Sequence, residues 1–158
     1  MCKTDPSFHS ITFDLQAILQ LPYAAENQLY YVRKLYVYNF TIYDSHDGSG
    51  NAYLWDEVNS MKGSNEISSC LMKYFEELST YVTHVASFSD TCGGQNRNRD
   101  ISAAMLYAVQ EVQNIEVIDL KYMESGHSFL QADSTLRKKK LFPYREGKVR
   151  FYPLLAHF

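Results

Sequence analysis

Residues 85–98 read Val-Ala-Ser-Phe-Ser-Asp-Thr-Cys-Gly-Gly-Gln-Asn-Arg-Asn, and this stretch decides the fold class. A short apolar run ends at Asp90, and a glycine pair then turns the chain. In an open α/β sheet, an aspartate so placed lies at the carboxyl edge of a strand, where such folds bind their ligands. Glycine allows backbone conformations and close approaches that a side chain would prevent. The stretch predicts a strand, a turn and a helix, with Asp90 as either a site residue or only a turn or helix-cap residue.

Composition is typical of one folded, intracellular domain. The chain has 158 residues, of which 46% are hydrophobic and 15% aromatic, a balance that disordered chains lack. Three widely spaced cysteines form neither a disulfide framework nor a zinc pattern, which indicates a reducing compartment. No apolar run approaches the ~20 residues of a membrane span, and the N-terminus lacks a signal-peptide core. We therefore predict a protein that is not secreted and has no membrane partner.

Strand patterns dominate the first third of the chain. Residues 11–15 form a short β-prone run that contains Asp14. Residues 29–43 are dense in aromatic and β-branched residues, which favour strands. The turn-forming residues 44–50 separate them from a second strand at 51–58, so the pair is predicted to form a hairpin.

Helices and strands alternate in the remainder. Apolar residues recur at helical spacing after residue 64, at Ile67, Leu71, Tyr74, Phe75 and Leu78. Further segments are predicted as a strand at 82–89, a helix from about 98, a strand at 115–123 and a helix at 128–140. The class is α/β, with a mixed five-stranded sheet in the order β-β-β-α-β-α-β-α flanked by helices. One more short strand is predicted near 149–151.

That element order is the ribonuclease H-like order, in which the first and fourth strands lie side by side at the centre of the sheet. Asp14 and Asp90 would then be neighbours, and Asp133 would approach from the helix after the fifth strand. Three convergent carboxylates suit two Mg²⁺ or Mn²⁺ ions, because hard cations take oxygen ligands. Two such ions ~4 Å apart assist phosphodiester displacement.

Several sequence blocks resemble one family. These are Phe13–Gln16, Gly63–Ile67, Phe88–Asn98, and Gly126–Ser128 followed by Asp133-Ser134. They look like a domain of unknown function that is common in transposon-derived proteins of insects and other animals. That domain is itself similar to the ribonuclease H-like core of transposases that use three acidic residues.

The resemblance implies a catalytic core at residues 8–140 and a truncated C-terminal extension at 141–158. It implies catalytic and metal-binding roles for Asp14, Asp90 and Asp133. The implied activity is nuclease or strand transfer on the duplex DNA of transposon ends, with the nucleus as the expected location and the cytoplasm as the alternative. Because family members are usually longer, any homo-oligomer would form through regions that this chain lacks.

Asp133 and Glu66 each have an alternative interpretation. Arg137 stands four residues after Asp133 and could form an ordinary surface ion pair with it on a helix. Glu124 competes with Asp133 for the third place, although it falls in a predicted loop. Glu66 is a candidate metal ligand, because it lies in the first turn of a predicted helix, where cellular ribonucleases H carry a fourth acidic residue. It could instead only complement the helix dipole.

Four further residues are candidates for substrate contact. His127 could contact a phosphate or a metal-bound water, or be a structural loop residue. Asn96 belongs to the glycine-containing block. Arg137 and Lys138 open a basic run that is either a solvated helix end, a DNA-backbone contact or a nuclear-import patch.

Two classes of function remain open at this stage. The first is a metal-dependent phosphoryl transferase acting on DNA. The second is a catalytically inactive transposon remnant that binds nucleic acid or protein. The formal net charge of -3 provides no general attraction for nucleic acid, so DNA affinity would need local patches or regions outside this chain.

Overall fold

A computed structural model describes residues 5–21, 33–123 and 149–153, which form a mixed α/β structure. Its elements, in chain order, are β1 Phe8–Leu15, β2 Leu19–Leu21, β3 Leu35–Asp44, β4 Gly50–Asp56, α1 Ser64–Glu76, β5 His84–Ser89, α2 Arg99–Glu111, β6 Val117–Tyr122 and β7 Val149–Pro153. No helix within these residues is both long and apolar enough to cross a membrane.

The strands form one sheet in the order β6-β5-β1-β3-β4-β7, and β2 pairs beside β1 on β3. β1 pairs in parallel with β5 and antiparallel with β3, and β5 pairs in parallel with β6. The predicted hairpin is confirmed as β3 and β4, which pair antiparallel. The predicted neighbourhood of the first strand and the strand that ends before Asp90 is also confirmed.

A single positive backbone angle closes the hairpin. Gly48 has a φ angle of 71°, in the left-handed region that glycine adopts with little steric strain. Its amide donates to the carbonyl of Asp44, the last residue of β3. The turn thus returns the chain beside β3 as β4.

One face of the sheet carries the core. Burial alternates along β1, with His9, Ile11, Phe13 and Leu15 buried and the residues between them less so. This follows from the strand's two-residue period. The apolar ones, Ile11, Phe13 and Leu15, join one cluster with apolar residues of both helices, including Ile67, Leu71, Phe75, Ile101, Met105 and Ala108. α1 and α2 therefore cover the same face, and Asp14 belongs to the alternate set that points away from it.

Within the described residues the sheet has seven strands, where a five-stranded sheet and one further short strand were predicted. β2 was missed because three residues are too few to show a strand period, and pairing with β3 is what orders them. β7 matches the short strand predicted near 149–151. It pairs in parallel with β4, so this part of the predicted C-terminal extension is an edge strand of the same sheet. The helix predicted at 128–140 lies outside the described residues.

The two helices begin differently. The N-cap of α1 is Gly63, which offers no side-chain acceptor, whereas the N-cap of α2 is Asn98. Asn98 Oδ1 accepts a hydrogen bond from the amide of Ile101 at 3.0 Å. Such a cap satisfies one of the amides that the first helical turn leaves without a carbonyl.

Substituting Asn98→Ala is expected to lower the free energy of unfolding by about 1 kcal/mol, because it removes that cap. Urea denaturation followed by circular dichroism measures the change. Ser102→Ala is a matched control in the same turn. The Ser102 hydroxyl donates to the carbonyl of Asn98, which also accepts a hydrogen bond from the backbone amide of Ser102. An equal loss in both variants would contradict the capping role.

A candidate carboxylate site at the sheet edge

The pairing of β1 with β5 brings two distant aspartates into the same register. Thr12 is paired with Phe88, and Asp14 and Asp90 each lie two residues further along these parallel chains. Asp14 is in β1, whereas Asp90 is the first residue after β5. Adjacent strands are about 4.8 Å apart, so residues in register are neighbours. The backbone therefore places both aspartates at one edge of the sheet.

Asp90 is held by the loop that follows it. Its Oδ1 accepts a hydrogen bond from the amide of Cys92 at 3.1 Å and another from the side-chain amide of Asn96 at 2.5 Å. Asp90 thus makes the contacts of a turn residue, which was one of its two predicted roles. These contacts leave the second oxygen, Oδ2, without a hydrogen bond among the described residues, so a ligand role is compatible with the same geometry.

The loop itself is ordered by its own backbone. The carbonyl of Cys92 accepts from the amides of Gln95, Asn96 and Arg97. The guanidinium of Arg97 then lies 5.5 Å from the centre of the Tyr122 ring on β6. These contacts fix the loop against the sheet edge next to Asp90.

Asn96 was predicted to contact substrate, and its position argues for a different role. Its side chain is 0% exposed, so it has no free surface with which to meet a substrate. Its Nδ2 reaches Asp90, while its Oδ1 is buried without a hydrogen-bond partner among the described residues. The described contact of its side chain is thus with Asp90, inside the protein, and substrate contact by Asn96 stays a prediction.

Asp14 lies in a half-buried position opposite Thr41 of β3. The side-chain amide of Gln16 donates to its Oδ2 at 3.4 Å, which is a long hydrogen bond. This carboxylate also has a further interaction. Its half-exposure distinguishes it from the buried core residues on either side of it in β1.

Glu66 lies in the first turn of α1, as predicted. Its Oε1 accepts from the hydroxyl of Ser60 at 2.6 Å and from the amide of Met61 at 3.0 Å. These bonds join the helix to the β4–α1 connection. They favour a structural role for this carboxylate, and its role as a metal ligand stays a prediction.

The remaining candidates, Asp133, Glu124, His127, Arg137 and Lys138, lie outside the described residues. Within residues 5–21, 33–123 and 149–153, no group of three or more histidine, cysteine or acidic residues is arranged to hold a metal ion. The described part of the chain thus contributes two neighbouring carboxylates, Asp14 and Asp90.

The donor set at this edge fits a hard divalent cation. Both side chains supply oxygen, the ligand type that Mg²⁺ and Mn²⁺ prefer. The oxygen Oδ2 of Asp90 accepts no hydrogen bond from the described residues, and the loop fixes the carboxylate to which it belongs. Two protein carboxylates are also a common complement for Mg²⁺, which keeps several of its waters.

Sequence reasoning missed a buried polar cluster at the other end of β1. Nδ1 of His9 lies 2.5 Å from Oδ2 of Asp44, and the hydroxyl of Tyr74 donates to the same oxygen at 2.9 Å. The ring of His46 stacks on that of His9, with 4.5 Å between their centres. His9 and Asp44 are only 6% and 3% exposed. The β1–β3 register is what joins them, and no local spacing in the sequence reveals it.

Electrostatics in this cluster favour an ionised Asp44. Burial is the largest single influence and acts to raise the pKa of Asp44, but hydrogen bonds from His9, the amide of His46 and Tyr74 outweigh it and lower that pKa. Burial, reinforced by the Asp44 charge, raises the pKa of Tyr74 well above its ordinary value. Tyr74 therefore stays a hydrogen-bond donor to the carboxylate.

No protein-family model, curated protein or solved structure matches this chain.

Proposed function

We propose that this chain has a ribonuclease H-like fold and is the catalytic core of a transposase-derived protein, which cleaves or transfers phosphodiester bonds of DNA. The proposed substrate is duplex DNA at transposon ends, and the proposed location is the nucleus. The family blocks of the sequence support this proposal.

One structural observation carries it. The central strand β1 lies between parallel β5 and antiparallel β3, and its register with β5 ends two residues before Asp14 and Asp90, at the carboxyl edge of β5. That is the arrangement expected of a ribonuclease H-like core. Ligands bind at this edge in open α/β sheets.

In the proposed site, Asp14 and Asp90 bind Mg²⁺ or Mn²⁺, and Asp133 is the third carboxylate. Bound divalent ions would supply charge stabilisation and activation of a water or hydroxyl for in-line displacement at phosphorus. The protein would orient the carboxylates that bind these ions. Asp90 is fixed by two hydrogen bonds to one of its oxygens, and Asp14 projects from the face that α1 and α2 do not cover.

The second candidate is a catalytically inactive remnant that binds nucleic acid or protein. The observation in its favour is that Asp90 already has a structural use, since it closes the turn to Cys92. The two candidates differ in whether the carboxylates at the edge bind metal.

Titration calorimetry with Mn²⁺ separates the two candidates. We expect the wild-type chain to bind Mn²⁺ and Asp14→Asn to lose that binding, because the amide cannot replace a charged oxygen ligand. Asp47→Asn is the matched control, since Asp47 is an exposed aspartate of the β3–β4 turn and lies outside the proposed site. Equal Mn²⁺ binding by the wild-type chain and Asp14→Asn would contradict the enzyme proposal.

A further inference from the structure

We propose that Asn96 is a positioning residue, which holds the carboxylate of Asp90 in the orientation that binds the metal ion. The inference rests on the function proposed above and assigns to Asn96 a role beside the ligands. Two features carry it: the hydrogen bond to Asp90 and the complete burial of the Asn96 side chain.

The hydrogen bonds to Asp90 converge on one oxygen. Asn96 Nδ2 and the amide of Cys92 both donate to Oδ1, at 2.5 and 3.1 Å. A carboxylate held through one oxygen by two donors from different directions cannot rotate freely about its side-chain bonds. The other oxygen, which accepts no hydrogen bond from the described residues, is thereby kept in a defined direction.

The orientation of the Asn96 amide follows from the charge on Asp90. An ionised carboxylate only accepts hydrogen bonds, so the NH₂ group must face it and the amide oxygen must point away. That oxygen is buried and has no partner among the described residues. A buried acceptor without a partner costs stability, which offsets much of the gain from the bond to Asp90. Stabilisation of the fold alone is therefore a poor explanation for an asparagine here.

The position of Asn96 is itself fixed by the loop. Its backbone amide donates to the carbonyl of Cys92 at 2.8 Å, and the neighbouring amide of Arg97 does the same at 2.9 Å. Two residues later, Asn98 begins α2. Asn96 thus links the start of α2 to the ligand Asp90. Hydrogen-bonded partners of this kind orient metal ligands and tune their affinity.

The test measures Mn²⁺ affinity by calorimetry in Asn96→Leu and Asn96→Ser, with Asn98→Ala as the matched control. Leucine preserves the buried volume and removes the donor, while serine is too short to reach Asp90. Loss of the partner of a metal ligand weakens binding by roughly 10–100-fold, and we expect this in both Asn96 variants. Asn98→Ala disturbs the same loop but leaves both donors to Asp90, so its affinity should equal that of the wild type.

A second readout needs no substitution of Asn96 and no activity. In the wild-type chain, the side-chain NH₂ signals of Asn96 in a nitrogen-15 correlation spectrum should shift when Mg²⁺ is added, because the carboxylate that they contact becomes a ligand. The same signals should not respond to Mg²⁺ in Asp14→Asn. A residue that only fills space would show no response in either protein.

The outcomes separate the two proposals. Two outcomes would overturn the positioning role: Mn²⁺ affinity equal to the wild type in both Asn96 variants, or Mn²⁺ affinity weakened as much in Asn98→Ala as in those variants. Either outcome would leave the proposed function standing if Mn²⁺ binding still depended on Asp14. If the wild-type chain binds no Mn²⁺ through Asp14, the proposed function fails and the role of Asn96 fails with it. Weaker binding in the Asn96 variants alone, together with the Mg²⁺-dependent shift, supports the proposal.

Discussion

Asp14→Asn is expected to reduce nicking of duplex DNA to the background measured with the metal chelated, and Asp90→Asn and Asp133→Asn are expected to do the same. In the proposed site, each substitution would remove one charged oxygen ligand from the three that would hold two ions. Gel analysis of supercoiled plasmid incubated with Mg²⁺ or Mn²⁺ measures the effect. Asp47→Asn should nick at the wild-type rate.

Stability distinguishes ligands from structural aspartates, and the structure separates Asp14 from Asp90 on this point. Asp14→Asn should leave thermal stability equal or raised, because neutralising Asp14 relieves its repulsion with Asp90 in the proposed site. Asp90→Asn should cost about 1–2 kcal/mol, because the bonds from Cys92 and Asn96 then end on a neutral acceptor. A clear loss of stability in Asp14→Asn would count against the metal site.

DNA affinity sets the conditions of this experiment. The formal net charge of -3 gives the chain little attraction for a duplex, and phosphate contacts weaken steeply as salt increases. Nicking should therefore be assayed at low ionic strength. Absence of nicking in the wild-type chain would leave the decision to the Mn²⁺ titration, which does not depend on DNA binding.

Asp44→Ala is expected to lower the free energy of unfolding by about 3–5 kcal/mol, which is a large part of the stability of a typical domain. The substitution leaves His9 and the Tyr74 hydroxyl buried without their shared acceptor. Urea denaturation near neutral pH measures the loss. Asp47→Ala, three residues away in the same turn but exposed, should change stability far less.

The same carboxylate gives the wild-type protein a defined pH dependence. Because the folded protein holds the pKa of Asp44 below its ordinary value, the unfolded chain takes up the proton first. The contribution of Asp44 is therefore fully present above about pH 4 and is lost as pH falls through the lower, folded pKa. The loss of stability between pH 4 and 2 should be smaller in Asp44→Ala. Parallel curves for the two proteins would contradict an ionised Asp44 in the fold.

Local patterns in the sequence determined much of the architecture. The 3.6-residue apolar period predicted α1, the aromatic and β-branched run predicted β3, and the turn residues after Asp44 predicted the hairpin. The block around Asp90 predicted a strand followed by a turn and a helix, and the strand and helix are β5 and α2. Such features are visible in sequence because each depends on residues a few positions apart.

Only the tertiary structure decided which distant residues meet. The pairing of β1 with β3 lets His9 contact Asp44, and the pairing of β1 with β5 brings Asp14 and Asp90 to one edge of the sheet. The sequence predicted the second pair only through an assumed topology. The burial of Asn96 likewise depends on how its loop packs on the sheet edge. Strand pairing and packing depend on contacts between segments that are far apart in the chain. The free energy of those contacts cannot be read from a short stretch of sequence. The sequence block around Asp90 therefore named that residue as a candidate, whereas the burial of Asn96 and its hydrogen bond to Asp90 became visible only in the folded chain.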